Sequence, residues 1–157
     1  MSSIRKVAEL AGVSLGSVSR YLNGHQLKEQ NMKKIAAAIK ELDYKENIIA
    51  KGLKNNRSFS VGLLMNSISS QFGAEIVSAI EGVMEQNGYS VLLSGFKGDV
   101  SLVDQKIDYL VQHAVDGLIV FMSEQDWDGM ERLAELPIPV LTINSPIQLP
   151  GVDRVQV

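Results

Sequence analysis

The sequence contains no cysteine and only two histidines among its 157 residues. The lack of cysteine excludes a disulfide framework and a zinc finger, and it is compatible with a reducing compartment. No apolar run is long enough to cross a bilayer, and the first residues lack the apolar stretch of a secretory signal peptide. These absences predict a cytoplasmic protein with no membrane partner.

Residue groupings typical of enzymes are also missing. His25 and His113 stand apart, with no nucleophile at motif spacing, and no glycine-rich loop ends in Gly-Lys-Ser/Thr. The segment 95–98 is too weak a pattern to predict a phosphate cradle. Asp126 and Asp128 fit a helix start or a surface better than an acid–base pair. We therefore expect a protein that is not an enzyme and that has no cofactor and no metal.

Charge is distributed unevenly along the chain, although the net charge is only −3. Residues 1–58 contain eleven Lys and Arg against five Asp and Glu, a net charge of +6. The remainder contains four Lys and Arg against thirteen Asp and Glu, a net charge of −9. A basic head joined to an acidic body indicates a polyanion-binding module attached to a domain with another role. Two solvated surfaces of opposite sign are the alternative.

A helix-turn-helix is indicated by the spacing of three residues in the basic head. Ala8 allows a close approach of two helices, Gly12 suits a left-handed turn, and the branched Val18 can anchor the second helix. The first helix is predicted over residues 4–11, and Ser14 is placed to cap the second. This motif puts its second helix in the DNA major groove. A purely structural helix pair is the alternative, and the basic charge favours DNA.

Two further helices are predicted in the basic head. The longer one runs from about Lys28 to Leu42, and residues 47–54 can form two more turns. Gly52 and the short length make the second of these helices marginal by itself. Its apolar side chains would be exposed in a plain linker, which favours a segment that becomes ordered on a partner. The apolar face expected for the longer helix is formed by Met32, Ile35, Ala36, Ile39 and Leu42.

From residue 59 onward, short apolar runs alternate with amphipathic stretches. This alternation predicts an α/β fold with a parallel sheet covered on both faces. Ligands bind such sheets beyond the carboxyl ends of the strands. The expected strands cover 60–65, 90–94, 117–121 and 139–143, and the amphipathic stretches lie near 74–87, 101–114 and 126–136. The expected strand-end segments are 66–72, 95–96, 122–123 and 144–145.

Three segments of the head carry a family pattern. Residues 7–24 read Val-Ala-x-Leu-Ala-Gly-Val-Ser-x-x-Ser-Val-Ser-Arg-x-Leu-Asn-Gly. Residues 37–44 read Ala-Ala-Ile-x-Glu-Leu-x-Tyr, and residues 47–53 read Asn-x-x-Ala-x-x-Leu. This pattern resembles the lactose/galactose repressor family of bacterial transcription regulators. The resemblance implies a homodimeric repressor that reads two half-sites of double-stranded operator DNA. It also implies control of the operator affinity by a small effector, a sugar or a purine.

The resemblance assigns DNA contacts to the second helix of the motif. By position in the family pattern, these residues are Leu15, Gly16, Ser17, Ser19, Arg20 and Asn23. Leu15, Gly16 and Arg20 fall at base-reading positions, and the guanidinium fork of Arg20 matches the O6 and N7 acceptors of guanine. Gly16 departs from the pattern because the family usually has a polar base reader there, and Glu46 replaces a usual proline. We therefore expect less direct base readout and more readout of DNA shape.

The resemblance also implies a hinge helix that folds on DNA and inserts a leucine into the minor groove. That leucine corresponds to Leu53, with Ala50 on the same face of the helix, and an apolar wedge of this kind bends the duplex. The α/β part corresponds to the first lobe of a periplasmic-binding-protein-like effector domain. There Phe72 would stack on a sugar or base, and Asn144 would hydrogen-bond the ligand. A core aromatic is the alternative for Phe72.

The expected architecture is therefore an all-α helix-turn-helix head followed by an incomplete α/β lobe. The expected boundaries are 1–46 for the head, 47–58 for the hinge helix and linker, and 59–157 for the lobe. Residues 151–157 have the pattern of a starting edge strand. Members of the resembled family are longer, so the resemblance implies that the second lobe is absent here and that an effector pocket between lobes is incomplete.

Three other functions are compatible with the sequence. They are a small-molecule-binding module, a truncated DNA-binding form without effector control, and a compact α/β enzyme with an added helix-turn-helix. The enzyme is disfavoured, because the strand-end segments lack a nucleophile, an acid–base pair and metal ligands.

Overall fold

The structure is a computed structural model that describes residues 2–122 and 127–157. The chain divides into two compact units, Met1–Asn47 and Ile48–Val157, and each is described by itself. Two residues named above lie outside the described part of the chain. They are Ser123, expected at a strand end, and Asp126, expected near Asp128.

Three helices form the first unit, and serine side chains cap two of them. The helices are α1 (Ile4–Ala11), α2 (Leu15–Leu22) and α3 (Glu29–Glu41). The Ser3 side chain accepts a hydrogen bond from the backbone N–H of Lys6, and Ser14 Oγ accepts one from the N–H of Ser17 at 3.1 Å. These caps satisfy N–H groups that have no partner inside the helix. The cap predicted at Ser14 is confirmed.

The turn between α1 and α2 depends on Gly12, whose φ is 66°. Glycine adopts this left-handed conformation without the steric penalty that a Cβ atom brings. The turn allows α1 and α2 to share one apolar core with α3. The fully buried Val18 is the contribution of α2 to this core. The other buried members are Val7, Ala8, Ala11, Ile35 and Ala38.

The buried face of α3 differs from the expected face in one alanine. Ala38 is buried, whereas Ala36 is exposed. Residues three and four apart lie on the same side of a helix, so Ala38 aligns with Ile35 and Ala36 does not. Residues 36–38 are three consecutive alanines. Residue type therefore gives no signal that distinguishes them.

The second unit begins with α4 (Ile48–Asn55) and contains a five-stranded sheet in the order β2-β1-β3-β4-β5. All four pairs of neighbouring strands are parallel. The strands are β1 (Ser60–Met65), β2 (Ser90–Gly95), β3 (Gly117–Phe121), β4 (Val140–Ile143) and β5 (Asp153–Val155). The helices α5 (Gln71–Gln86) and α6 (Val103–Gln112) connect β1 to β2 and β2 to β3. The predicted parallel sheet is confirmed.

Successive residues of the central strands alternate between two apolar cores. Leu63 and Met65 of β1 lie in one core, against which Ile80 of α5 packs. Leu64, between them, lies in the other core together with Leu110 of α6. Strand side chains alternate between the two faces of a sheet, so a strand covered on both faces needs a continuous apolar run. The covering of both faces of the sheet explains the uninterrupted apolar runs in the sequence.

The third amphipathic stretch is a short 3₁₀ helix, Met130–Glu135, rather than an α-helix starting near residue 126. Met130 and Leu133 are its buried residues, and their spacing of three matches the period of a 3₁₀ helix. Pro137 and Pro139 follow directly. Proline disfavours helical backbone in the residue before it, so the element ends after two turns.

None of the helices within 2–122 and 127–157 has the length and apolarity that a bilayer crossing requires.

Helix α4 ends in a tight reversal of the chain over Gly52. The N–H of Arg57 donates to the carbonyl of Gly52 at 3.0 Å, and Asn56 has a φ of 52°. A Cβ atom at Gly52 would lie 2.3 Å from the carbonyl oxygen of Arg57. Gly52 therefore has a second role besides weakening the helix, because this reversal requires a residue without a side chain.

We expect Gly52→Ala to destabilise α4, although Gly→Ala in a helix normally stabilises by about 1 kcal/mol. The clash is with a backbone oxygen, so the turn at 56–57 must move. Gly82→Ala in α5 is the matched control, since its Cβ would meet nothing within 4 Å. Thermal unfolding of the full chain measures both variants. Equal gains in thermal stability for the two substitutions would contradict the close approach at Gly52.

Candidate nucleic-acid interface and strand-end cavity

One face of α2 is exposed, and it carries most of the residues expected to contact DNA. Leu15, Gly16 and Arg20 are all exposed, and Leu15 has an exposed fraction of 47%. Residues four apart lie on the same side of a helix, so Leu15 aligns with Ser19, and Gly16 with Arg20. The buried Val18 lies on the side opposite Gly16 and Arg20, and Leu15 lies at the border between the buried and exposed sides. The arrangement leaves an arginine and a leucine exposed on a short helix.

Ser17 and Asn23 have local structural roles in addition to any contact with DNA. Ser17 Oγ lies 2.9 Å from Ser14 Oγ, at the start of α2. The Asn23 side-chain amide donates to the carbonyl of Ser19 at 2.9 Å, at the end of α2. Both ends of this helix are therefore held by side chains that the family pattern assigns to phosphate contact or capping.

Gly16 is not required by packing. The nearest atom to a Cβ built at Gly16 is Ser14 Oγ, at 3.9 Å. A side chain at this position would therefore extend into solvent on the exposed face of α2. The structure gives no steric reason for the glycine, and Leu15 and Arg20 are the long exposed side chains among the expected base-reading residues.

Glu46 lies near the half-buried phenol of Tyr44. Burial raises the pKa of Tyr44, and the negative charge of Glu46 raises it further. Tyr44 also packs against the apolar core of the head. The phenol therefore stays protonated at neutral pH, and its ring contributes to the core at the end of the head.

Helix α4 exposes apolar side chains to solvent. The exposed fractions are 48% for Ile48, 76% for Ile49 and 83% for Leu53. Ile49 and Leu53 are four residues apart and share one side of the helix, and the exposed Ala50 lies one turn before Leu53. Exposure of a leucine to this degree leaves its whole side chain accessible to a partner. The structure describes the segment as helical, and its ordering only on a partner stays a prediction.

A cavity of about 660 Å³ lies at the carboxyl ends of the central strands. Asn66 follows β1, Phe121 ends β3 and Asn144 follows β4. Such a position agrees with the general location of ligands in parallel sheets. The full lining is Asn66, Ser67, Ser69, Ser70, Phe72, Phe121, Met122, Asn144, Pro146, Gln156 and Val157.

Phe72 and Asn144, the two expected ligand contacts, both line this cavity. Phe72 has an exposed fraction of 50%, and its ring centroid lies 6.1 Å from that of Phe121 in a tilted arrangement. Asn144 Oδ1 accepts a hydrogen bond from the N–H of Val157 at 2.9 Å. The side-chain oxygen of Asn144 is therefore engaged within the chain, while its NH₂ group can donate.

One expected strand-end segment does not contribute to the cavity. Phe96, which follows β2, is 2% exposed and belongs to the apolar core that contains Leu110. β2 is an edge strand, away from the central strands whose ends line the cavity.

Other lining residues were not among the expected contacts. Asn66 accepts from the N–H of Gly98, and Ser70 Oγ accepts from the N–H of Gly73 at 3.0 Å. Asn66 could have been selected because it directly follows a strand. Gln156 follows β5, a short strand with little apolar signal, so the sequence alone did not point to Gln156.

The comparison with known proteins covers both units. The family described as "Bacterial regulatory proteins, lacI family" matches residues 3–47. The family described as "Periplasmic binding proteins and sugar binding domain of LacI family" matches residues 58–157. Together these two matches account for nearly the whole chain.

Individual relatives agree with the family matches. The HTH-type transcriptional regulator RegA of Clostridium acetobutylicum is 37% identical over 145 residues, which are 92% of this chain and 43% of RegA. The ribose operon repressor of Escherichia coli is 33% identical over 138 residues, 87% of this chain and 42% of the repressor. The HTH-type transcriptional repressor PurR of Actinobacillus pleuropneumoniae is 32% identical over 145 residues, 92% of this chain and 43% of PurR. The chain spans less than half the length of these relatives.

Solved structures show the same similarity. The lac repressor dimer bound to operator and the anti-inducer ONPF has a TM-score of 0.80 and 28% identity, covering 99% of this chain and 48% of that one. A LacI-family transcriptional regulator from Silicibacter pomeroyi has a TM-score of 0.72 and 25% identity, covering 100% and 47%. The helix-turn-helix head and the parallel-sheet lobe each match a LacI-family model over nearly their whole length. The chain therefore belongs to the LacI family of bacterial regulatory proteins.

Proposed function

We propose that this chain binds operator DNA in a sequence-specific way and acts in transcriptional repression. The observation that carries the proposal is the exposed part of α2 in the basic part of the chain, where Leu15, Gly16 and Arg20 reach solvent while Val18 is buried. The proposed division is a DNA-binding head at 1–46, a hinge helix and linker at 47–58 and an effector lobe at 59–157. This function involves no catalysis, and a bacterial operator places the protein in the cytoplasm.

The proposed DNA contacts divide into base reading and positioning. Arg20 reads guanine through its two parallel N–H donors, and Leu15 makes an apolar contact with a base edge. Ser17 lies in the first turn of α2, Ser19 in its middle and Asn23 at its C-cap. Their hydroxyl and amide groups suit phosphate oxygens. Phosphate contacts fix the register on the duplex and carry no sequence information themselves.

Helix α4 supplies the proposed minor-groove contact and the reason for a homodimer. Leu53 is the most exposed large apolar residue of the described helices, and Ala50 lies one turn before it. An apolar wedge between two base pairs bends the duplex toward the major groove. Two copies of α4 from two chains would together cover the apolar faces that one copy leaves exposed.

The strand-end cavity supports a second candidate function, the binding of a small effector. Within the described residues its lining contains amides, hydroxyls and two aromatic rings and no charged side chain. Such a lining favours an uncharged ligand with many hydroxyl groups or a flat ring, as in a sugar or a purine. Relatives named as repressors of the ribose operon and as PurR agree with these two classes. A binding module that acts without DNA is the alternative.

The test of DNA binding is its dependence on salt. We expect the affinity of the full chain for duplex DNA to fall steeply as salt increases, with a slope of about −0.9 for each phosphate neutralised. Fluorescence anisotropy of a labelled random-sequence duplex measures the slope. Arg154→Ala, which removes an exposed basic residue from the acidic lobe, should leave it unchanged. A slope near zero for the unaltered chain would contradict the proposal.

Arg20→Ala tests base reading. We expect a loss of about 1–3 kcal/mol at an operator selected from a random pool, and a relaxed preference at one base pair of each half-site. Titrations against duplexes carrying each of the four base pairs at that position measure the preference, and Arg154→Ala is again the matched control. Uniform weakening for all four base pairs would make Arg20 a phosphate contact.

Leu53→Ala tests the wedge. We expect the unaltered chain to bind operator weakly and in a concentration-dependent way. We expect Leu53→Ala to lose most of the DNA bending, with little change in its affinity for random-sequence DNA. Energy transfer between dyes at the two ends of the duplex measures bending. Leu93→Ala, at an exposed leucine of β2, is the control. Unchanged bending in Leu53→Ala would remove this residue from the interface.

Hydrogen exchange in the same samples tests whether α4 depends on DNA. A helix of two turns that contains a glycine is marginal alone, so we expect residues 47–54 to exchange quickly in the free chain and slowly in the complex. Strong protection in the free chain would show that α4 persists without DNA. Folding coupled to DNA binding would then be the wrong description.

A further inference from the structure

The segment between α4 and β1 contains a backbone conformation that is rare for its residue type. Phe59 has a φ of 53°, in the left-handed region. Asn56, three residues earlier, has a φ of 52°, but asparagine enters this region readily, whereas a bulky aromatic residue is an outlier there. A conformation of this kind persists only where the surrounding groups hold it.

The Asp116 carboxylate holds this segment through both of its oxygens. Oδ1 accepts a hydrogen bond from the N–H of Ser58 at 2.9 Å, and Oδ2 accepts one from the N–H of Phe59 at 2.9 Å. The Ser58 hydroxyl donates to Oδ1 at 3.4 Å. Asp116 is itself fixed beside β1, because its N–H donates to the carbonyl of Ser60 at 2.8 Å. One side chain at the start of β3 therefore binds two consecutive amides directly before β1.

The Phe59 ring links this point to both α4 and the edge of the sheet. Its centroid lies 5.8 Å from the ring of Tyr89, and Lys51 Nζ of α4 lies 5.2 Å from the same centroid. A cation over an aromatic face at this distance is attracted to it. In addition, Arg57 Nη1 donates to Tyr89 Oη at 3.1 Å. The ring therefore contacts both α4 and the edge of the lobe's sheet.

We propose that Asp116 is a positioning residue that locks Phe59 in its left-handed conformation and so fixes the direction in which α4 leaves the sheet. The role of this direction rests on the proposed function: it presents Leu53 to duplex DNA in one orientation. Asp116 makes no contact with DNA in this proposal. A carboxylate is needed because both oxygens must accept, and an asparagine would turn an NH₂ group toward one of the two N–H donors.

The test compares Asp116→Asn with Asp153→Asn in the full chain. Asp153 is an exposed carboxylate of β5, so the control removes the same charge from the same unit. In Asp116→Asn we expect the Ser58 and Phe59 amides to exchange at least about tenfold faster, with the amides of Leu63 and Val120 unchanged. We also expect the ratio of operator affinity to random-sequence affinity to fall about tenfold, with the same salt slope. The operator is a duplex selected from a random pool with the unaltered chain.

Each result decides a separate question. Faster exchange with an unchanged affinity ratio would reduce Asp116 to a local cap and overturn the proposal, as would unchanged exchange. If the unaltered chain does not bind the random-sequence duplex at all, the proposed function is overturned instead. If the sheet amides also lose protection in Asp116→Asn, the affinity ratio of a second variant, Phe59→Pro, tests the proposal. Proline lacks the N–H that Asp116 binds and cannot adopt a positive φ. A folded Phe59→Pro variant with the full affinity ratio would overturn the proposal.

Discussion

The burial of Val18 decides which face of α2 reaches solvent. Val18 is fully buried in a core shared by the three helices of the head, and Gly12 allows the turn that brings α2 there. Once Val18 points inward, the helical period places Gly16 and Arg20 outward and leaves Leu15 at the border. The orientation of the proposed recognition surface is therefore a consequence of apolar packing by the same helix. A change that rotates α2 would alter the surface without touching any residue on it.

The lobe depends on a comparable constraint, the parallel arrangement of its strands. Parallel strands bring all their carboxyl ends to one edge, so loops that are distant in sequence gather there. Asn66, Phe121 and Asn144 meet around one cavity for this reason. At the opposite edge, where the strands begin, Asp116 and Ser60 lie beside the end of α4. The same topology therefore separates the proposed ligand contacts from the proposed anchor of the hinge helix.

Much of the fold could be predicted because periodicity and turn residues are local signals. The serine cap at Ser14, the turn at Gly12 and the continuous apolar strands follow from neighbouring residues alone. The choice of Ala38 over Ala36 depends on helix phase within an alanine run. The role of Gly52 depends on a contact with Arg57, after the helix has ended. The hydrogen bonds of Asp116 join residues more than fifty positions apart, and no local pattern contains them.

Gly16 has a consequence for how the specificity of this protein can change. Its position on the exposed face of α2 meets no atom closer than 3.9 Å, so side chains of different size can occupy it without rearranging the head. Replacing a glycine inside a helix also removes a local penalty of about 1 kcal/mol. Most mutations that create a new contact destabilise a fold, but a side chain at Gly16 would add to the proposed recognition surface and stabilise α2 together. The proposed operator preference can therefore change at Gly16 without a packing cost.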